Sequence, residues 1–107
     1  MTAHSDRDYF EAYWPRAARR VKSKQLAPRL TTLAGKRIAF IWDYIFRGDE
    51  MFETIEHSLS SRYPGMSFIG WREMGNIHGS DERQVVAALP AKLRELGADA
   101  VIVAVAA

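Results

Sequence analysis

The feature that most limits the fold is the stretch over 100–107, Ala-Val-Ile-Val-Ala-Val-Ala-Ala, apolar at every position and introduced by Gly97 and Asp99. A short, valine-rich run bounded by turn formers reads as a strand buried on both faces. A second such run, Arg37-Ile38-Ala39-Phe40-Ile41-Trp42, follows the turn at Gly35-Lys36. A strand wet on one face alternates in polarity. Two strands that barely alternate point to a parallel sheet with helices on both sides.

The sequence between these strands supplies the helices. Over 49–62, Met51, Phe52, Ile55 and Leu59 recur at three- and four-residue intervals and form one apolar stripe. Asp49, Glu50 and Glu53 sit near the start, where the positive end of the helix dipole favours them, and Tyr63-Pro64-Gly65 closes the helix. Residues 66–71 read as a second, shorter strand, interrupted by Gly70 and therefore placed at an edge. Residues 72–80 read as a loop. Asp81 is then expected to cap a helical region carrying Val85, Val86, Leu89, Leu93 and Leu96, and Gly97 to end it. Pro90 either kinks that helix or starts a second one.

Strand, helix, strand, helix, strand with right-handed crossovers gives an α/β fold: a three-stranded parallel sheet of order 2-1-3 with flanking helices, part of a Rossmann- or flavodoxin-like domain. The sequence divides into an N-terminal arm, residues 1–24, and an α/β domain, residues 25–107, whose first residues, 25–36, form a connector. The arm groups Tyr9, Phe10, Tyr13 and Trp14 ahead of Arg16, Arg19, Arg20, Lys22 and Lys24. Aromatics beside basic residues can bind nucleic acid. A net charge of only +2 over 107 residues argues instead for an arm that packs its aromatics on the domain or on a second subunit. The expected partner is accordingly a second copy, through the arm or an exposed sheet edge, with nucleic acid disfavoured.

In open α/β sheets ligands bind beyond the carboxyl ends of the strands. There the sequence places Asp43, Arg47 and Gly48, a carboxylate, a guanidinium and a glycine at a helix start, suited to a small anion. Arg47 can equally lie in solvent or pair with Asp43 or Asp49. No G-x-G-x-x-G or P-loop occurs, so no nucleotide cofactor is expected. His78 and Ser80 lie too close along a turn for triad geometry, and Ser80 and Asp81 are better explained as helix caps. His57 falls on the polar side of its helix, and His4, His57 and His78 lack metal-ligand spacing. There is no cysteine, which excludes disulfides and thiolate chemistry within these residues. No apolar stretch approaches the ~20 residues of a membrane helix, and Asp6, Arg7, Asp8 and Glu11 do not suit a secretory signal. A cytoplasmic location is the expectation.

The connector and first strand, L-A-P-R-L-T-T-L-A-G-K-R-I-A-F over 26–40, and the closing segment L-R-E-L-G-A-D-A-V-I-V-A-V-A-A over 93–107 resemble the UGSC family of proteins and selenoproteins. The family is named for a selenocysteine- or cysteine-Gly-Ser-Cys motif. The resemblance implies a thiol–disulfide oxidoreductase whose redox motif follows the last strand, with Asp43 and the Arg47-Gly48 loop as neighbours of that site and a redox partner still to be identified. It carries no catalytic residue onto these 107 positions, because the motif is not among them. The expectation is therefore a domain incomplete at its C-terminus and inactive as written, its reading frame stopped at a UGA codon that encodes selenocysteine.

Overall fold

The structure, a computed structural model, describes residues 9–104. Its elements run β1 (Arg37–Trp42), α1 (Gly48–Arg62), β2 (Ser67–Ile69), α2 (Trp71–Met74), α3 (Glu82–Glu95) and β3 (Ala100–Ala104). The three strands form one parallel sheet in the order β2-β1-β3. Arg37 pairs with Ser67 on one side, and Ile38 through Trp42 pair with Ala100 through Ala104 on the other. The fold is thus the α/β arrangement that the strand–helix alternation implies.

β1 is buried from Ile38 to Trp42 because it is covered on both faces. Successive side chains point to opposite sides of a strand. Ile38, Phe40 and Trp42 therefore meet α1 through Phe52, while Ala39 and Ile41 meet Met74 of α2 and Leu89, Leu93 and Leu96 of the α3 segment. The chain steps from β1 to β2 and then back across β1 to β3, so right-handed connections place α1 and α3 on opposite faces. Phe40 is the centre of the first layer. Its ring stacks on Phe52 at 4.5 Å and on Phe68 at 5.6 Å, and burying a side chain of this size contributes about 2–3 kcal/mol.

Helix ends follow from local chemistry. Tyr63 precedes a proline, which excludes helical angles, and it adopts φ −127°, ψ 121°. Gly97 ends the α3 segment with φ 71°, the left-handed conformation that glycine adopts without a Cβ penalty, and Ala98 N–H donates back to the Leu93 carbonyl at 3.0 Å.

The amino edge of the sheet is tied by Arg37 and Asp99. Arg37 N–H donates to the Asp99 carboxylate at 2.9 Å, and Asp99 N–H donates to the Arg37 carbonyl at 2.8 Å. The Arg37 guanidinium donates to Ser67 Oγ at 3.2 Å and to the Leu96 carbonyl at 2.7 Å, joining β2 and the end of α3 to β1.

Five sequence expectations need correction. The second strand is only Ser67–Ile69 and not 66–71, because at Trp71 the backbone turns into α2, a helical turn without a signal of its own in the sequence. Pro90 lies inside the single helix α3 and does not start a second one; it sits on the exposed side, where water can solvate the carbonyl deprived of its donor. Asp81 occupies the N-cap position of α3, but its side chain makes no capping hydrogen bond. β3 is not buried on both faces. Val101 and Val103 are exposed, because α3 crosses over β2 and β1 and leaves the outer strand uncovered, and Val86, expected in the apolar stripe, is half exposed. Finally, the arm does not pack on the domain: Tyr9, Phe10, Tyr13 and Trp14 are all exposed. The part of the expected third strand beyond residue 104, and the arm before residue 9 with His4, lie outside the described residues.

Candidate functional site at the carboxyl edge of the sheet

The carboxyl ends of β1 and β3 and the loops after β1 and β2 meet at one edge. The ladder continues past Trp42, with Asp43 N–H donating to the Ala104 carbonyl at 3.3 Å and Asn76 bridging to Trp42 on the other side. Asp43 is buried, and its Oδ1 accepts from Ile45 N–H at 3.2 Å in a side-chain-closed turn. The Trp42 indole N–H donates to the Ile45 carbonyl at 3.0 Å. Ile45 is therefore gripped through both of its backbone polar groups.

That grip forces an unusual backbone. Tyr44 and Phe46, the residues on either side of Ile45, have φ of 64° and 62°. For residues with a Cβ this left-handed conformation costs roughly 1–2 kcal/mol each, and such strain persists only where surrounding contacts over-determine it. At Tyr44 the contacts are aromatic. Its ring stacks on Trp42 at 4.9 Å and meets Trp71 edge-on at 5.1 Å, while Trp42 and Trp71 are themselves edge-to-face at 4.8 Å. The Arg72 guanidinium covers the Trp71 ring at 4.4 Å. Phe46 has no comparable support and is exposed.

Asp43, Arg47 and Gly48 share this loop but play different parts. Asp43 shapes the turn from inside. Gly48 is buried at the first position of α1 under the Trp42 indole, and a Cβ there would fall inside the ring's contact distance. Arg47 alone faces solvent, and its guanidinium lies 3.8 Å from the Glu50 carboxylate, a turn further along the helix, and not against Asp49. Elsewhere, His78 is exposed with its ring 3.9 Å from Glu82, and no hydrogen bond joins it to Ser80 among the described residues. His57 is exposed as expected. No group of His, Asp and Glu arranged to hold a metal ion occurs among the described residues, and no helix there is long and apolar enough to cross a membrane.

The aromatic trio Trp42, Tyr44 and Trp71 was invisible to sequence reasoning. The sequence pattern puts Trp71 at the end of a strand, and nothing marks a tyrosine for the left-handed region. The one available signal was Gly48, which follows a bulky loop at the helix start and is the residue a close ring would require.

Comparison with known proteins finds that the UGSC family model matches residues 11–107. No curated protein and no solved structure matches the chain.

Proposed function

The chain belongs to the UGSC family, and from that premise we propose that it supplies the scaffold of a thiol- or selenol–disulfide exchange site at the carboxyl edge of its sheet. The observation that carries this reading is the convergence on that edge of the end of β3, the strained 43–48 loop and the start of α1. A sulfur or selenium atom attached beyond β3 would have the positive end of the α1 dipole nearby, which favours the ionised, reactive form. In exchange chemistry that anion attacks one sulfur of a disulfide and expels the other as a thiolate. A second cysteine nearby then displaces the mixed disulfide. These 107 residues contain no cysteine, so the scaffold alone performs neither step. The redox motif, in this reading, is encoded in frame after codon 107.

Two measurements test the proposal together. The coding sequence read in frame beyond codon 107 should give selenocysteine- or cysteine-Gly-Ser-Cys. A protein extended through that motif should then reduce a model disulfide, while the 107-residue chain does not. An extension without the motif, or equal activity of both proteins, contradicts the proposal.

A second reading, binding of a small anion at Asp43, Arg47 and Gly48, rests on the exposed Arg47 guanidinium at the N-cap of α1. An anion there would compete with Glu50 for the guanidinium. Phosphate titration followed by the Arg47 side-chain resonance tests it, and an unmoved resonance removes it.

A further inference from the structure

The arm and the outer side of α1 carry complementary chemistry that the fold leaves unjoined. Along the arm, Tyr9, Phe10, Tyr13 and Trp14 are between 78% and 92% exposed. The following segment carries Arg16, Arg19, Arg20, Lys22 and Lys24 with no acidic residue among them. Among the described residues, the ring contact these side chains make is internal to the arm, Arg16 over the Trp14 ring at 5.6 Å.

On the domain, two adjoining apolar grooves share Met51. One, of about 450 Å³, is lined by Ile45, Phe46, Gly48, Met51, Val103 and Ala104. The other, of about 480 Å³, runs along α1 past Arg47, Glu50, Met51, Thr54 and Ile55, with Arg47 and Glu50 paired at its mouth. Glu50 stands at the rim. From it Glu53 and Glu56 continue at three-residue spacing, a ridge that climbs away from the groove across the outer face of α1. An apolar groove leading into an acidic ridge is the counterpart of an aromatic segment leading into a basic one.

The surface that the fold leaves uncovered is large enough for an interface. The chain exposes 9582 Å², whereas a compact monomer of 12.1 kDa exposes about 6,000 Å². The excess is larger than the roughly 1,600 Å² buried in a standard interface. The connector that carries the arm lies against Asp99, Ala100 and Val101 at the amino end of β3, while the groove opens at the carboxyl end. We propose that the arm of one chain docks on a second copy of this chain. Its aromatics seat against Phe46, Met51 and Val103, and its arginines and lysines lie along Glu50, Glu53 and Glu56. A two-fold axis makes the exchange reciprocal, filling both grooves with both arms.

Sedimentation equilibrium on the full chain, from micromolar to millimolar concentration, tests this. The wild type should associate to twice 12.1 kDa, and added salt should weaken the association. Arg19→Glu with Arg20→Glu should raise the dissociation constant about tenfold or more, as should Glu50→Lys with Glu53→Lys, and combining all four should return it to within about threefold of wild type. Every one of these positions is exposed, and the fold of each variant is checked by circular dichroism. Phe10→Ala with Trp14→Ala should leave a monomer. A wild-type monomer at all concentrations overturns the proposal, whether its arm lies free or in its own groove. So does a dimer indifferent to these changes, or association that requires added nucleic acid.

Discussion

The two ends of the sheet are built on opposite plans. At the amino end, Arg37 and Asp99 exchange backbone and side-chain hydrogen bonds, the Arg37 guanidinium reaches Ser67 and Leu96, and Gly35 and Gly97 adopt the left-handed conformations that suit glycine. Polar groups are matched there, and each turn residue suits its backbone. At the carboxyl end, left-handed conformations fall on Tyr44 and Phe46, aromatic contacts among Trp42, Tyr44 and Trp71 add to the hydrogen bonds that hold Ile45, and Phe46, Met51 and Val103 remain exposed. The comparison teaches where the molecule spends its stability. One edge is optimised for folding, and the other holds strain and apolar surface for something to meet.

The sharpest way to break this contrast is at Gly48. Gly48→Ala places a methyl inside the Trp42 indole, so the ring must shift and its hydrogen bond to the Ile45 carbonyl is lost. The expected destabilisation is about 3 kcal/mol, read from the urea midpoint. Asp99→Ala at the other edge removes the acceptor of Arg37 N–H from an exposed position, and about 1 kcal/mol should be lost. If the Asp99 variant suffers more than the Gly48 variant, the carboxyl edge is less constrained than its contacts indicate. The smallest effect has the opposite sign. Phe46→Asn relieves a left-handed backbone in a residue with little packing to lose, and should raise stability by about 0.5 kcal/mol.

The amino edge was far more legible in the sequence than the carboxyl edge. The apolar runs at 37–42 and 100–104, the helix over 48–62, and the stop signals at Pro64 and Gly97 each act locally and each appear. Of the expected stripe Met51, Phe52, Ile55 and Leu59, however, only Phe52 and Ile55 join the core cluster, and Met51 is exposed. Apart from the missing Asp81 cap and the place of Pro90 inside α3, the failures depend on tertiary arrangement. Val101 and Val103 read as buried because composition cannot say which strand is outermost. Trp71 read as strand because its aromatic partners lie far away in sequence. The arm's aromatics do not pack on their own domain, because hydrophobicity predicts burial without naming the surface. At the site, the loop position of Asp43, Arg47 and Gly48 could be read in advance. The division of labour among them could not, since it is set by the Trp42 ring, which covers Gly48, and by the turn that Asp43 closes.

The proposed function assigns the chemistry of this protein to the carboxyl edge and leaves stability to the amino edge. The direct test is the rate of disulfide exchange per folded molecule in the motif-carrying protein, compared between Arg47→Ala and Asp99→Ala. On the proposed function, Arg47→Ala should change the rate about threefold or more at nearly unchanged stability, since it would remove a cation from the loop next to the exchanging sulfur or selenium. Asp99→Ala should lower stability and leave the rate alone. An exchange rate that responds to Asp99 and ignores Arg47 would contradict it.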